Sequence, residues 1–251
     1  MTGAPRDTVY LVSYPKSGNT WLRFIIGNYL TGGGVTFANY HAIVPDMHRN
    51  PEAIAAVPYR PVFVKSHFGY RKALKKLAVY QNVIYLYRDG RDVSVSYHVH
   101  LRARGLIPPG TEFKEFFWNH FLAGKVFPGG WGEHVASWLE RAKGDDRIVF
   151  CSYEGLRRAT LDEMERLLRS CGIRIDAPRL EGAVARSSLA SMVRDEEENR
   201  SHSLEHQDAA SPEFRLVRHG VVGEWRQQYD AEMIGAFDDR YGSLMRELGY
   251  E

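Results

Sequence analysis

Cysteine is scarce: the 251 residues hold two, Cys151 and Cys171. Two thiols cannot build a disulfide framework, nor a metal site by themselves, and so low a count suits a reducing compartment. No stretch of about 18 apolar residues exists, which excludes a membrane-spanning helix of the usual kind. The opening residues, MTGAPRDTVY, lack the apolar core of a secretion signal. Neither sign of charge dominates; the formal net charge is +2. That is too little to imply a nucleic-acid partner, so an anion site would have to be a local concentration of cations. Internal repeats, Pro/Gly/Ser-rich linkers and Asp or His groupings with metal-ligand spacing are also missing. What is left is an ordinary soluble composition, 44% hydrophobic and 25% charged. It reads as one domain spanning 1–251, expected in the cytoplasm.

Four short apolar runs, Val9–Val12, Val62–Lys65, Val83–Tyr87 and Ile148–Cys151, have the character of strands buried on both faces. Helical patterns separate them, which predicts an α/β fold with a mainly parallel sheet flanked by helices. Thr160 and Glu163 carry a capping-box signature ahead of a helix with apolar positions Leu161, Met164, Leu167, Leu168 and Cys171. Asp230 is placed to cap a last helix through Met233, Ile234, Phe237, Tyr241, Leu244 and Leu248. Ala103–Lys114, with Gly105, Pro108, Pro109 and Gly110, reads as a loop. Arg194–Pro212, polar and without a period, reads as a lid or excursion. The basic run Arg71, Lys72, Lys75 and Lys76 reads as a solvated helix face.

Between the first strand and the helical pattern through Trp21, Phe24, Ile25 and Leu30 lies Tyr14-Pro15-Lys16-Ser17-Gly18-Asn19-Thr20-Trp21. Strand, tight loop and helix in that order aim backbone N–H groups and a helix N-terminus at a phosphate. Lys16, Ser17 and Thr20 add a cation and two hydroxyl donors. The loop is not the G-x-x-x-x-G-K-[ST] of ATPases, because Lys16 precedes the only glycine. Ligands of open parallel sheets bind beyond the carboxyl ends of the strands. That rule selects Lys16, Ser17 and Gly18; Lys65, Ser66 and His67; Arg88; and Tyr153, a convergence suited to an anion.

These residues resemble the motifs of the soluble sulfotransferases that use 3'-phosphoadenosine-5'-phosphosulfate (PAPS). YPKSGNTW is similar to the family's 5'-phosphosulfate loop, with Asn19 where Thr is usual. Val64-Lys65-Ser66-His67 resembles its Lys-Thr-His element. The run from Tyr87 to Ser96 resembles its 3'-phosphate motif and keeps the Arg88–Ser96 spacing, with Asp89-Gly90-Arg91 as an unusual middle. Trp131, His134, Val135, Trp138 and Glu140 resemble a structural helix of the family, and Ser152-Tyr153-Glu154 its adenine-facing Tyr element. Ser187, Ser188, Leu189 and Met192 resemble a stretch that lines the nucleotide. Arg218-His219-Gly220-Val221-Val222-Gly223-Glu224-Trp225-Arg226 resembles its C-terminal signature. The likeness runs from about Val9 to Tyr250 and implies a P-loop NTPase-like fold.

The resemblance implies transfer of a sulfuryl group from PAPS to a hydroxyl, or less readily an amine, of a small-molecule or glycoside acceptor, with no metal. It assigns His67 as general base, Lys65 to the transferring oxygens and Lys16 to the leaving oxygen. Ser17, Gly18, Asn19 and Thr20 would cradle the 5'-phosphate. Trp21 would stack near the adenine or fill core. Arg88, Ser96, Arg218, His219 and Gly220 would hold the 3'-phosphate, and Ser96 would also restrain Lys16. Phe113, Phe116, Phe117 and Trp118 read as core or pocket wall, and Phe37–Tyr59 and Phe68–Tyr70 stand where acceptor contacts are expected. The family's dimerisation element is absent after Trp225, where Arg226, Asp230, Ala231 and Gly235 stand, so the oligomeric state stays open. Two other readings stand beside this one: a nucleotide kinase, which needs a Walker lysine and Mg2+ ligands, and a non-catalytic nucleotide-binding protein.

Overall fold

The computed structural model describes residues 7–71 and 82–250. Four strands, β1 (Thr8–Ser13), β2 (Val62–Ser66), β3 (Asn82–Tyr87) and β4 (Ile148–Ser152), form a parallel sheet in the order β2-β1-β3-β4. The register sets Val12 beside Ser66 and Tyr85, and Tyr87 beside Ser152. All four carboxyl ends therefore open on one edge, as the apolar runs predicted.

Alternate strand residues serve two apolar layers. Tyr10, Val12, Val64, Val83 and Tyr85 pack with Trp131, Val135, Trp138 and Phe237 on one face. Val9, Leu11, Phe63, Ile84 and Leu86 pack with Leu22, Ile25, Ile26, Leu167 and Leu168 on the other. That double burial is why these strands read as continuous apolar runs rather than alternating ones. The helices Gly90–Ala103, Trp131–Ala142 and Ala231–Glu247 contribute to the first layer, and Asn19–Thr31, Thr160–Ser170 and Ala177–Arg186 to the second. Phe113, Phe116 and Phe117 are core, in a short helix that runs on into a π-helical turn, Phe117–Leu122. Trp138 has no exposed surface and donates its indole N–H to the Phe68 carbonyl at 3.0 Å.

Asp230 caps the last helix, accepting from the Met233 N–H at 2.9 Å. The capping box does not form: Ala159 is the N-cap, Thr160 is already helical, and Glu163 pairs with Arg166 instead. Arg194–Pro212 is not an excursion. It continues the helix Leu189–Glu198 and adds short helical turns at Arg200–His202 and Leu204–Gln207. It is held because Glu196 accepts from the Leu216 and Val217 N–H groups, and Glu205 binds Tyr40 and His41. Polar periodicity hid this segment, since its buried anchors are carboxylates rather than apolar side chains. Of the basic run, Arg71 is exposed and Lys72, Lys75 and Lys76 lie outside the described residues.

Candidate active site

The loop after β1 is built by two left-handed residues. Lys16 has φ 69°, and Gly18, the N-cap of Asn19–Thr31, has φ 97°. A Cβ on Gly18 would stand 2.5 Å from the Tyr153 ring, so only glycine lets the loop lie against that ring. No side chain caps this helix, which leaves its first N–H groups for a ligand. The Ser17 hydroxyl is fully buried and without a hydrogen-bond partner among the described residues. Asn19 faces inward, donating to the Leu11 carbonyl and the Ser13 hydroxyl at 3.1 Å each.

A cavity of about 640 Å³ opens from this loop across the sheet edge. Lys16, Gly18, Asn19, Thr20, Trp21, Arg88, Ser96, Tyr153, Leu189, Met192, Arg218, His219 and Gly220 line its first half. Trp21 and Tyr153 meet edge to face at 5.9 Å, and the Trp21 N–H donates to the Ser187 carbonyl at 2.9 Å. The Arg88 guanidinium stacks 4.6 Å over Tyr153 and donates to the Val221 carbonyl at 2.7 Å; its Nε is buried and has no hydrogen-bond partner among the described residues. Asp92, one turn on, accepts from the Gly223 and Trp225 N–H groups at 2.7 and 3.0 Å and so brings the Arg218–Arg226 loop onto the cavity. Arg218 pairs with Glu224 at 2.5 Å. Orphaned donors, a glycine-only cradle, arginines and two facing aromatic rings together suit a nucleotide with phosphates at both ends.

His67, Lys65 and Lys16 line the same cavity. His67 Nδ1 lies 2.7 Å from the Ser13 carbonyl, which can only accept, so Nδ1 carries the proton and Nε2 keeps its lone pair. Burial, reinforced by the Lys65 charge, holds His67 well below the usual imidazole range, so the ring is neutral at pH 7. Lys65 Nζ sits 2.5 Å from Asp46 Oδ2. Burial lowers Lys65, with Asp46 opposing. Burial would raise Asp46, but the Lys65 and Arg23 charges outweigh it and hold the carboxyl well below its usual range. Burial, with Arg218 and Arg88 close by, brings Lys16 down to about 7. Its Nζ rests 3.4 Å from His100 Nδ1, where Ser96 was the expected partner. His134, from the Trp131–Ala142 helix, bonds Tyr85 and reaches the His67 carbonyl at 3.2 Å, fixing the backbone beneath the base.

Three expected site residues are not on the cavity wall. Ser17 and Ser187 are fully buried, Ser187 accepting from Asn28, and Ser188 caps the helix Leu189–Glu198 through the Ser191 N–H. The sequence reading did not single out Asp46, His48, Arg49, His100, Arg104 or Glu205, all of which line the second half. His100 and Arg104 carried a usable signal, standing four and eight residues after Ser96 on one helical face. Asp46 and His48 carried none beyond lying within Phe37–Tyr59. Phe68 and Tyr70 pack on the core instead of lining the cavity.

A family model described as the sulfotransferase domain matches residues 6–249. Sulfotransferase 2B1 of Homo sapiens is 32% identical across 96% of this chain and 67% of its own length. Sulfotransferase 1C2 of Homo sapiens is 29% identical across 96% and 84%. In fold, the chain is similar to mouse sulfotransferase SULT7A1 complexed with PAP, with TM-score 0.76, 24% identity and coverage of 97% and 86%. It is likewise similar to a retinol dehydratase in complex with androsterone and inactive cofactor PAP, with TM-score 0.72, 21% identity and coverage of 95% and 80%.

Proposed function

The chain belongs to the sulfotransferase domain family, and on that premise we propose that it moves a sulfuryl group from PAPS to a hydroxyl of a small-molecule or glycoside acceptor, with His67 as general base. The observation that carries this reading is the fixed His67 tautomer: Nδ1–H on the Ser13 carbonyl, Nε2 bare, in one cavity with Lys16 and Lys65. PAPS, when bound, supplies a sulfuryl group activated by a phosphate leaving group.

The chain's own residues then divide the work. His67 Nε2 takes the acceptor's hydroxyl proton, and its lowered pKa keeps it ready to do so at neutral pH. The imidazolium that forms is stabilised by the Ser13 carbonyl and the nearby Asp46 carboxylate. Lys65, anchored on Asp46, is fixed where equatorial negative charge collects, and Lys16 where it collects on the leaving oxygen. The uncapped N–H groups above Gly18 would take the 5'-phosphate and Arg88, with its orphaned Nε, the 3'-phosphate. Among the described residues no helix is long and apolar enough to cross a membrane, and no cluster of three or more His, Cys, Asp or Glu is arranged for a metal.

The test is His67→Ala, assayed with PAPS against a panel of hydroxyl acceptors and titrated with the product 3',5'-adenosine bisphosphate (PAP). Transfer should fall by about 10²–10⁴ while PAP affinity stays within about threefold. Undiminished transfer would remove the base assignment. Tight PAP binding with no transfer by the parent protein to any acceptor would favour a non-catalytic nucleotide-binding protein.

A further inference from the structure

Beyond the reaction centre the cavity changes character. Leu101, Ile107, Val126 and Phe127 form an apolar wall, with Phe127 about half exposed at the rim. Past it stand Arg49, Arg104 and Lys125. Arg49 and Arg104 both reach the same oxygen of Asp208, Arg104 at 3.3 Å. Arg49 is also 3.8 Å from Glu205, which Arg23 faces as well. Lys125 has no ion pair among the described residues. Arg23, Arg49 and Arg104 thus share two carboxylates, one of which, Asp208, is itself about half exposed, and Lys125 adds a further cation to the cavity lining. Independently, Arg104 Nε is buried without a hydrogen-bond partner among the described residues, although the side chain lines the cavity. A buried guanidinium edge left unmatched is costly unless a ligand completes it.

The helix Gly90–Ala103 supplies the distance. Ser96, His100 and Arg104 recur every four residues along it, about 6 Å per step. His100 touches Lys16 at the reaction centre. Arg104, the C-cap of this helix, lies one step farther.

We propose that the acceptor is an alcohol or phenol with a short apolar body and an anionic group, a carboxylate, phosphate or sulfate, held by Arg104, Arg49 and Lys125, with Arg104 one helical step of about 6 Å beyond His100. This rests on the sulfotransferase reading and narrows its acceptor class. A neutral sterol or simple phenol leaves the arginine cluster unanswered; an amine is repelled by it.

Three probes of matched shape test the inference: 4-hydroxyphenylacetate, 4-ethylphenol and tyramine, titrated into PAP-saturated protein at low ionic strength. The carboxylate should bind about tenfold tighter than 4-ethylphenol, with tyramine weakest. Arg104→Gln and Lys125→Gln should each remove most of that advantage and leave 4-ethylphenol affinity and PAP affinity unchanged. Binding of all three within twofold, a lead by tyramine, no measurable binding of the carboxylate, or an advantage that survives both substitutions would each overturn it. Failure of PAP to bind at all strikes the nucleotide reading itself, so the two failures are distinct.

Discussion

Nucleotide binding should consume a proton, and the structure says how much. In the free protein Lys16 is brought down to about 7 by burial and by Arg218 and Arg88. At pH 8 such a group is only about 10% protonated. A bound phosphate beside its Nζ favours the charged form and raises the pKa, so the complex holds more protons than the free partners. Uptake at pH 8 should therefore approach about 0.9 proton per PAP, and affinity should fall by up to about tenfold per pH unit as pH rises above 7. At pH 8 the phosphates are already fully ionised, their second pKa being near 6, so they contribute little. The other groups around Lys16 are Arg88, Arg218, Lys65, Glu196 and His100. Burial with the Lys16 charge keeps His100 well below the window. Lys65 is one competing source. Calorimetry in buffers of different ionisation enthalpy measures the uptake, and Lys16→Arg, which stays charged, isolates the residue. Uptake below about 0.2 proton in the parent, or equal uptake in Lys16→Arg, refutes the argument.

Three further outcomes are expected. Gly18→Ala forces an L side chain into the left-handed region, at about 1–2 kcal/mol, and into the Tyr153 ring; PAP affinity by titration should drop at least tenfold. Asp46→Ala strands the buried Lys65 ammonium, which should lower stability by about 3–5 kcal/mol in chemical denaturation at pH 7. Because Asp46 raises the Lys65 pKa, its removal should also shift the alkaline limb of transfer to lower pH. Asp92→Asn weakens the charged acceptor for the Gly223 and Trp225 N–H groups, and PAP dissociation should rise about tenfold with little change in denaturation midpoint.

The strands were legible because both faces of each are buried, which writes a continuous apolar word into the chain. Of the residues the strand-end rule selected, Lys16, Gly18, Lys65, His67, Arg88 and Tyr153 line the cavity, whereas Ser17 and Ser66 are buried away from its wall. The helical cap at Asp230 was legible for the same local reason. Thr160 misled because a capping box depends on the backbone angle of the residue before it, and Ala159 took that place. Asp46 and Glu205 were illegible because their roles are made by partners 19 and 164 residues away, Lys65 and His41. Arg194–Pro212 looked unstructured because its anchors are buried acids, a pattern that hydrophobic periodicity does not register.

The helix Gly90–Ala103 gives this protein a division of labour along one rigid rod. On the proposed reading, its first turns answer to the nucleotide, through Asp92 and Ser96, and its C-terminal end to the acceptor. Substitutions around Arg104 that spare His100, which touches Lys16, would on the same reading redirect the catalyst to new acceptors while donor handling stays intact. An engineer seeking new sulfated products would randomise those positions first and leave the rest of the scaffold alone.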